Sequence, residues 1–248
     1  PRHIYDEANI FLNTTVPAGH RIKLQKDAAN SGTFAIDFIS TEQVSQVGNP
    51  DPARYTTPTG FTHQDVQNAL DRVRMDTTGS LIGVYLPAGE YPTSSKFQVY
   101  GKAVRVVGAG AWYTRFVAPQ NQENTDVGFR VESAANGSVF TGFSYFGNYT
   151  ARNDGPGKVF DLQNVSGITI DGIWAEHQMC LYWGLNTDNM TIRNNRIRNS
   201  FADAVNMTNG SSGNLVSNNE ARATGDDSFA LFAATDGGGG AQRDNVFE

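Results

Sequence analysis

The 248-residue sequence contains a single cysteine, Cys180. That excludes a disulfide within the chain and any zinc centre built on several thiolates. No run of about 18 apolar residues occurs, so no segment reads as a membrane-crossing helix. Positive charge is scarce. Nineteen basic residues against 25 acidic ones leave a formal net charge of −6, which argues against nucleic acid and against a polyanion that needs a dense Lys/Arg groove. A neutral polymer fits this charge balance better. Helical periodicity is also scarce, with one clear instance.

What is present is the vocabulary of short strands and tight turns: 26 glycines, and a second half rich in Asn, Ser and Thr. Arg21-Ile22-Lys23-Leu24 and Phe34-Ala35-Ile36-Asp37-Phe38-Ile39 alternate polar and apolar residues, so residues 1–57 read as part of a β-sandwich plus a Pro/Gly-rich connector. Thr62 with Asp65 forms a capping-box pattern. It precedes an apolar stripe of Val66, Ala69, Leu70 and Val73, so a helix is expected from about Thr62 to Met75, closing the end of a stacked-strand core.

From residue 58 onward the expectation is all-β, a right-handed parallel β-helix. Ile168, Ile192 and Val216 recur at an offset of 24. So do Ile173, Ile197 and Ala221; Leu181, Val205 and Phe229; and Trp183, Met207 and Leu231. Apolar columns at that period suit coils of two or three short strands stacked in register. Upstream, Phe140 matches Ile170 at an offset of 30, which implies inserted loops. Asn194 and Asn218 share a column and are expected to form an internal amide ladder.

The same offset places Asp203 and Asp227 on neighbouring coils, about 4.8 Å apart, with Asp226 beside them but pointing elsewhere. Like charges this close raise at least one pKa. One protonated and one ionised carboxyl are what glycoside hydrolysis requires. Spacing alone leaves two other readings open, a calcium site and simple turn chemistry. Asp203 and Asp227 share strand parity with the inward residues Val205 and Phe229, so the chain must break strand geometry before Ala204 and Ser228, and Gly225 suits that break. His177, Tyr182 and Trp174 are the candidate sugar contacts: His177 one coil before Phe201, the two aromatics from outward parity. Trp183, aligned with Met207 and Leu231, reads as core.

The stretch Asn194-Asn195-Arg196-Ile197-Arg198-Asn199-Ser200-Phe201-Ala202-Asp203-Ala204-Val205-Asn206, with Ala223-Thr224-Gly225-Asp226-Asp227-Ser228, resembles glycoside hydrolase family 87, the α-1,3-glucanases (mutanases) and mycodextranases. The runs from Asp65 to Asp76 and from Lys96 to Val104 resemble it too. The resemblance implies a β-helix of the pectate-lyase-like superfamily behind a β-sandwich. It also implies a secreted, inverting, endo-acting enzyme that cuts α-1,3-glucan or nigeran with the three aspartates and needs no cofactor or metal. The expected partner is a neutral α-glucan, with no nucleic acid or membrane, bound by a monomer. A polygalacturonase-like pectin hydrolase and a non-catalytic carbohydrate-binding β-helix are the competing readings. A catalytic β-helix of this family is expected to run on for more coils, so the helix is expected to be incomplete at its C-terminal end.

Overall fold

The computed structural model describes residues 7–12, 14–33, 35–153, 155–234 and 239–248. It divides into two compact units, Ala8–Ser45 and a larger one comprising Pro1–Glu7 with Gln46–Glu248. The described residues of Ala8–Ser45 form no strand. The alternating segments at 21–24 and 35–39 leave Ile22, Leu24, Ile36, Phe38 and Ile39 exposed. Alternation gives a segment one apolar face, but a strand also needs a regular hydrogen-bonded ladder beside it. Phe34, the first residue of the second expected strand, and Gly237-Gly238 lie outside the described residues.

The helix of the larger unit spans His63–Met75 and forms as its sequence dictates. The Thr62 hydroxyl accepts the backbone N–H of Asp65 while the Asp65 carboxylate accepts the N–H of Thr62, completing the capping box. Val66, Ala69, Leu70 and Val73 are buried against the strands of the first coil.

The rest is a three-sided stack of parallel strands. The first sheet has eight: Tyr55–Thr56, Gly83–Leu86, Arg105–Gly108, Val139–Thr141, Thr169–Asp171, Thr191–Arg193, Leu215–Ser217 and Val246–Phe247. The second has six: Gly89–Pro92, Thr114–Val117, Ser144–Phe146, Trp174–Glu176, Arg196–Arg198 and Glu220–Arg222. The third also has six: Lys96–Val99, Gly128–Val131, Lys158–Gln163, Cys180–Leu185, Val205–Thr208 and Phe229–Phe232. The chain visits the sheets in that order once per coil, and every pairing is parallel, as a β-helix requires.

The coil length is less regular than the sequence columns imply. Ile192 pairs with Val216, Ile197 with Ala221 and Val205 with Phe229, all at the expected offset. One coil earlier the partners are Ile170, Ala175 and Tyr182, in place of Ile168, Ile173 and Leu181. Met207 likewise pairs with Gly184, not Trp183. That coil is shorter by two on the first two sheets, where Ile170 meets Ile192 and Ala175 meets Ile197. The apparent match in the sequence came from neighbours two positions off register on the first two sheets and one position off on the third. The pairing of Phe140 with Ile170 holds.

Tyr182 and Trp183 exchange places as a result. Inside the third sheet Phe97, Phe129 and Phe160 stack with centroid separations of 5.2 and 5.4 Å, and Tyr182 continues the column as the register partner of Phe160. Each such burial contributes roughly 1.5–3 kcal/mol. Trp183, the next residue, therefore faces outward and is half-buried.

Amides stitch the coils at the corner between the first two sheets. Asn218 donates to Asn194 Oδ1 at 2.6 Å, but this ladder is exposed. The internal ladder is one residue on: Asn219 Oδ1 accepts both the backbone N–H and the side-chain amide of Asn195, at 3.0 and 2.8 Å. At the next corner His177, Asn199 and Ala223 follow the last residues of successive second-sheet strands, and all three have positive φ, of 54, 49 and 54°. An alanine held there is strained by about 1–2 kcal/mol. Ala223→Gly is therefore expected to raise the unfolding free energy by roughly 0.5–1 kcal/mol, strain relief less the entropy of glycine. Urea denaturation reads this directly, and a destabilised variant would refute it.

Candidate active site

The corner from the second sheet to the third builds the site. After Ala223 the chain must pass very close to the coil below: a Cβ at Gly225 would lie 2.4 Å from the Phe201 carbonyl oxygen. Only glycine fits that approach. It lets the N–H groups of Gly225 and Asp226 reach the Ala202 carbonyl at 3.2 and 3.3 Å. The two corners then stack through Ala204 N–H to Asp227 O and Val205 N–H to Ser228 O, both 3.1 Å. Because the strands begin only at Val205 and Phe229, Asp203 and Asp227 escape strand parity, as the sequence demanded.

The three carboxylates converge. Asp203, Asp226 and Asp227 each offer an oxygen within 4.8 Å of the others. Their surroundings differ. Asp203 is 6% exposed, and its two oxygens accept from the Asp227 backbone N–H (3.1 Å) and from Asn206 Nδ2 (2.5 Å). Asp226 and Asp227 are exposed. Burial pushes the Asp203 carboxyl above the usual carboxylate range, the Asn206 bond pulls the other way, and the charge of Asp226 adds to the rise. Asp226 is held below that range by its hydrogen bond to Arg152 and by the guanidinium charge. One acid thus favours its proton and its neighbour favours ionisation, the split that acid–base chemistry needs.

Arg152 escaped the sequence reading because it lies outside the coil lattice, in the loop that lengthens the coil between Phe140 and Ile170. That loop is pinned beside the corner. Tyr149 packs with Met179, Ala202 and Phe201, the Asn153 N–H reaches Met179 Sδ at 3.4 Å, and the Gly157 N–H reaches Asp126 Oδ1 at 2.8 Å. The excess coil length was the available signal; which loop residue faces the acids had none.

The candidate sugar contacts fare differently. Tyr182 is fully buried, with its hydroxyl on Thr187 Oγ1 at 2.7 Å. It is a core residue because it continues the aromatic column. Trp174 does face outward but is 3% exposed. Trp112, Phe146 and the Arg196 guanidinium pack around it at 4.8, 5.3 and 4.7 Å, and its Nε1 donates to Glu176. Neither offers a ring face to a sugar. His177 sits in the corner turn with Asn199 as its counterpart on the next coil. That is two positions short of the expected Phe201, because of the same short coil.

Residues 60–248 match the family model "Alpha-1,3-glucanase catalytic domain D2", and residues 1–44 match "Alpha-1,3-glucanase catalytic domain D1". Among solved structures, the catalytic domain of a GH87 α-1,3-glucanase, an Asp-to-Ala variant in complex with tetrasaccharides, is 49% identical. That match covers 82% of this chain and 35% of the other, with a TM-score of 0.78. A GH87 α-1,3-glucanase catalytic domain in complex with nigerose is 50% identical over 77% of this chain and 33% of the other, with a TM-score of 0.73. The catalytic unit of a thermostable GH87 α-1,3-glucanase from Streptomyces thermodiastaticus strain HF3-3 shares the fold at 23% identity, with coverages of 84% and 37% and a TM-score of 0.65. No curated protein matches. The chain spans about a third of the length of the first two of these solved relatives. On the family model and the identity together, the chain belongs to the α-1,3-glucanase catalytic domains of glycoside hydrolase family 87.

Proposed function

We propose that this chain carries the acid-bearing face of an endo-acting α-1,3-glucan hydrolase that works on a neutral glucan outside the cell as a secreted monomer. The observation that carries the reading is the convergence of Asp203, Asp226 and Asp227 in unlike environments. The solved relatives support it. They include alanine variants at three aspartates, two of them adjacent in number, with the same spacing that separates Asp203 from Asp226 and Asp227 here. These variants were solved with nigerose or tetrasaccharides. Placement at a corner on the outside of the stack fits internal cleavage of a polymer. No helix among the described residues is long and apolar enough to cross a membrane.

In the reaction Asp203 gives its proton to the glycosidic oxygen as the bond from that oxygen to the anomeric carbon breaks. Asp226 and Asp227 hold a water, take its proton and direct its oxygen to the anomeric carbon. A carboxylate paired with Arg152 is a poor proton donor.

Inversion is the stereochemistry that the family resemblance implies. The close carboxylates make retention the competing outcome, because inverting pairs are commonly about 6.5–9.5 Å apart and retaining pairs about 5–5.5 Å. Proton NMR of the first-formed product decides: the β-anomer from an α-1,3 bond means inversion, the α-anomer retention.

Replacing each of the three aspartates by Asn is expected to lower reducing-sugar release from insoluble α-1,3-glucan by about 10²–10⁴-fold; full activity in all three variants would end the proposal. Asp203→Asn is also expected to raise the melting temperature at pH 7. A carboxyl whose pKa is raised by folding opposes folding most fully above that raised value, and the new amide removes this cost. Asp226 works with the opposite sign: its pairing with Arg152 contributes stability above the ordinary carboxylate pKa and loses it as pH falls through the depressed one. Arg152→Ala should therefore move the Asp226 carboxyl titration upward, as read by carbon-13 NMR. An unmoved midpoint would remove Arg152 from the mechanism.

A further inference from the structure

The outer face of the third sheet holds a row that the acid–base chemistry does not use. Asp161, Trp183 and Asn206 are register partners on three consecutive coils, and their outward direction is fixed by the inward burial of Phe160, Tyr182 and Val205. The row runs toward the acids, since Asn206 is the residue that donates to Asp203. Trp183 is half-buried, with the Lys158 ammonium 4.4 Å from its ring centroid. Beside it, Lys96 Nζ bridges Asp126 and Asp161 at 3.1 and 3.3 Å. Trp112 and Trp174, by contrast, are locked against each other on the second sheet.

A second, independent feature lies at the end of the row. The amide of Asn206 spends its donor on Asp203, and its Oδ1 is buried with no hydrogen-bond partner among the described residues. Leaving a buried acceptor unsatisfied is costly, because it has given up water without gaining a donor. Such an atom asks for a donor brought by something else.

We propose that Trp183 is the stacking platform of a glucosyl subsite one coil before the acids, with Asn206 as the acceptor for a hydroxyl of the sugar it holds. A pyranose presents an apolar C–H face and a rim of hydroxyl groups. The indole matches the first, and the charged and amide groups of Asp161, Lys158 and Asn206 match the second. This inference rests on the α-glucan reading of the same site and deepens it. It also replaces Tyr182 and Trp174 with the aromatic that the register turns outward.

The test titrates the full chain, carrying Asp226→Asn to stop turnover, with an α-1,3-linked glucose tetrasaccharide and, separately, with trigalacturonate. Tryptophan fluorescence and calorimetry are the readouts. Trp183→Ala should weaken tetrasaccharide binding by about two- to tenfold, the worth of one aromatic stacking contact, with an unchanged melting temperature. Trp183→Phe should keep most of the affinity and lose the fluorescence change. In the parent with all three acids, Trp183→Ala should raise KM with little change in kcat. Unweakened binding by Trp183→Ala, or a fluorescence change that survives in Trp183→Phe, overturns the platform while leaving the glucanase reading intact. Binding of trigalacturonate alone, with a signal from Trp183, supports the platform and overturns the α-1,3-glucan reading. A chain that binds neither sugar overturns both.

Discussion

One hydrogen bond joins the architecture to the chemistry: the backbone N–H of Asp227 donates to the Asp203 carboxylate on the neighbouring coil. It exists only because the corner above packs down onto the corner below, through the Ala202 carbonyl and the glycine-only approach at Gly225. Shift that corner by one residue and the upper pair of acids loses its partner. The stack of coils is thus the jig that holds ionisable groups from separate parts of the sequence at the spacing where the exposed acids strengthen the hold of the buried one on its proton.

The site also shows how one buried carboxyl can coexist with two exposed ones. Asp203 is withdrawn from water, which alone would neutralise it, yet it receives a backbone and an amide donor that favour the ion. Burial outweighs these donors, so the carboxyl holds its proton above the ordinary carboxylate range. Asp226 lies in solvent with a cation attached, so burial hardly enters. Two identical side chains on adjoining coils acquire different tendencies from surroundings alone.

Much of this was legible in the residues. Helix capping depends on a local pattern, so Thr62, Asp65 and the buried stripe were readable without the fold. The offset from Asp203 to Asp227 was readable because the coil between them keeps the same 24-residue offset on all three sheets. The preceding coil was misread for a physical reason: short apolar strands tolerate a two-residue slip without losing their pattern, so Ile168 could pass for Ile170. That slip misplaced His177, and the one-residue offset that remains on the third sheet inverted the parity of Tyr182 and Trp183. Alternation at 21–24 and 35–39 was a true pattern, but the described residues there are not strand. Arg152 was unreadable, since its position depends on how a loop folds over a corner built by residues much later in the chain.

The loop carrying Arg152 has a further consequence. Successive coils are bound by register, and almost any change of length within a strand would disturb all that follows. A loop inserted at a corner is free of that constraint. The scaffold is therefore modular in one particular respect: the charge environment of the acids can be exchanged as a cassette, while the stack that sets their spacing stays fixed. Related chains with a different loop at this corner would inherit the three carboxylates in place and differ in the pH at which they work.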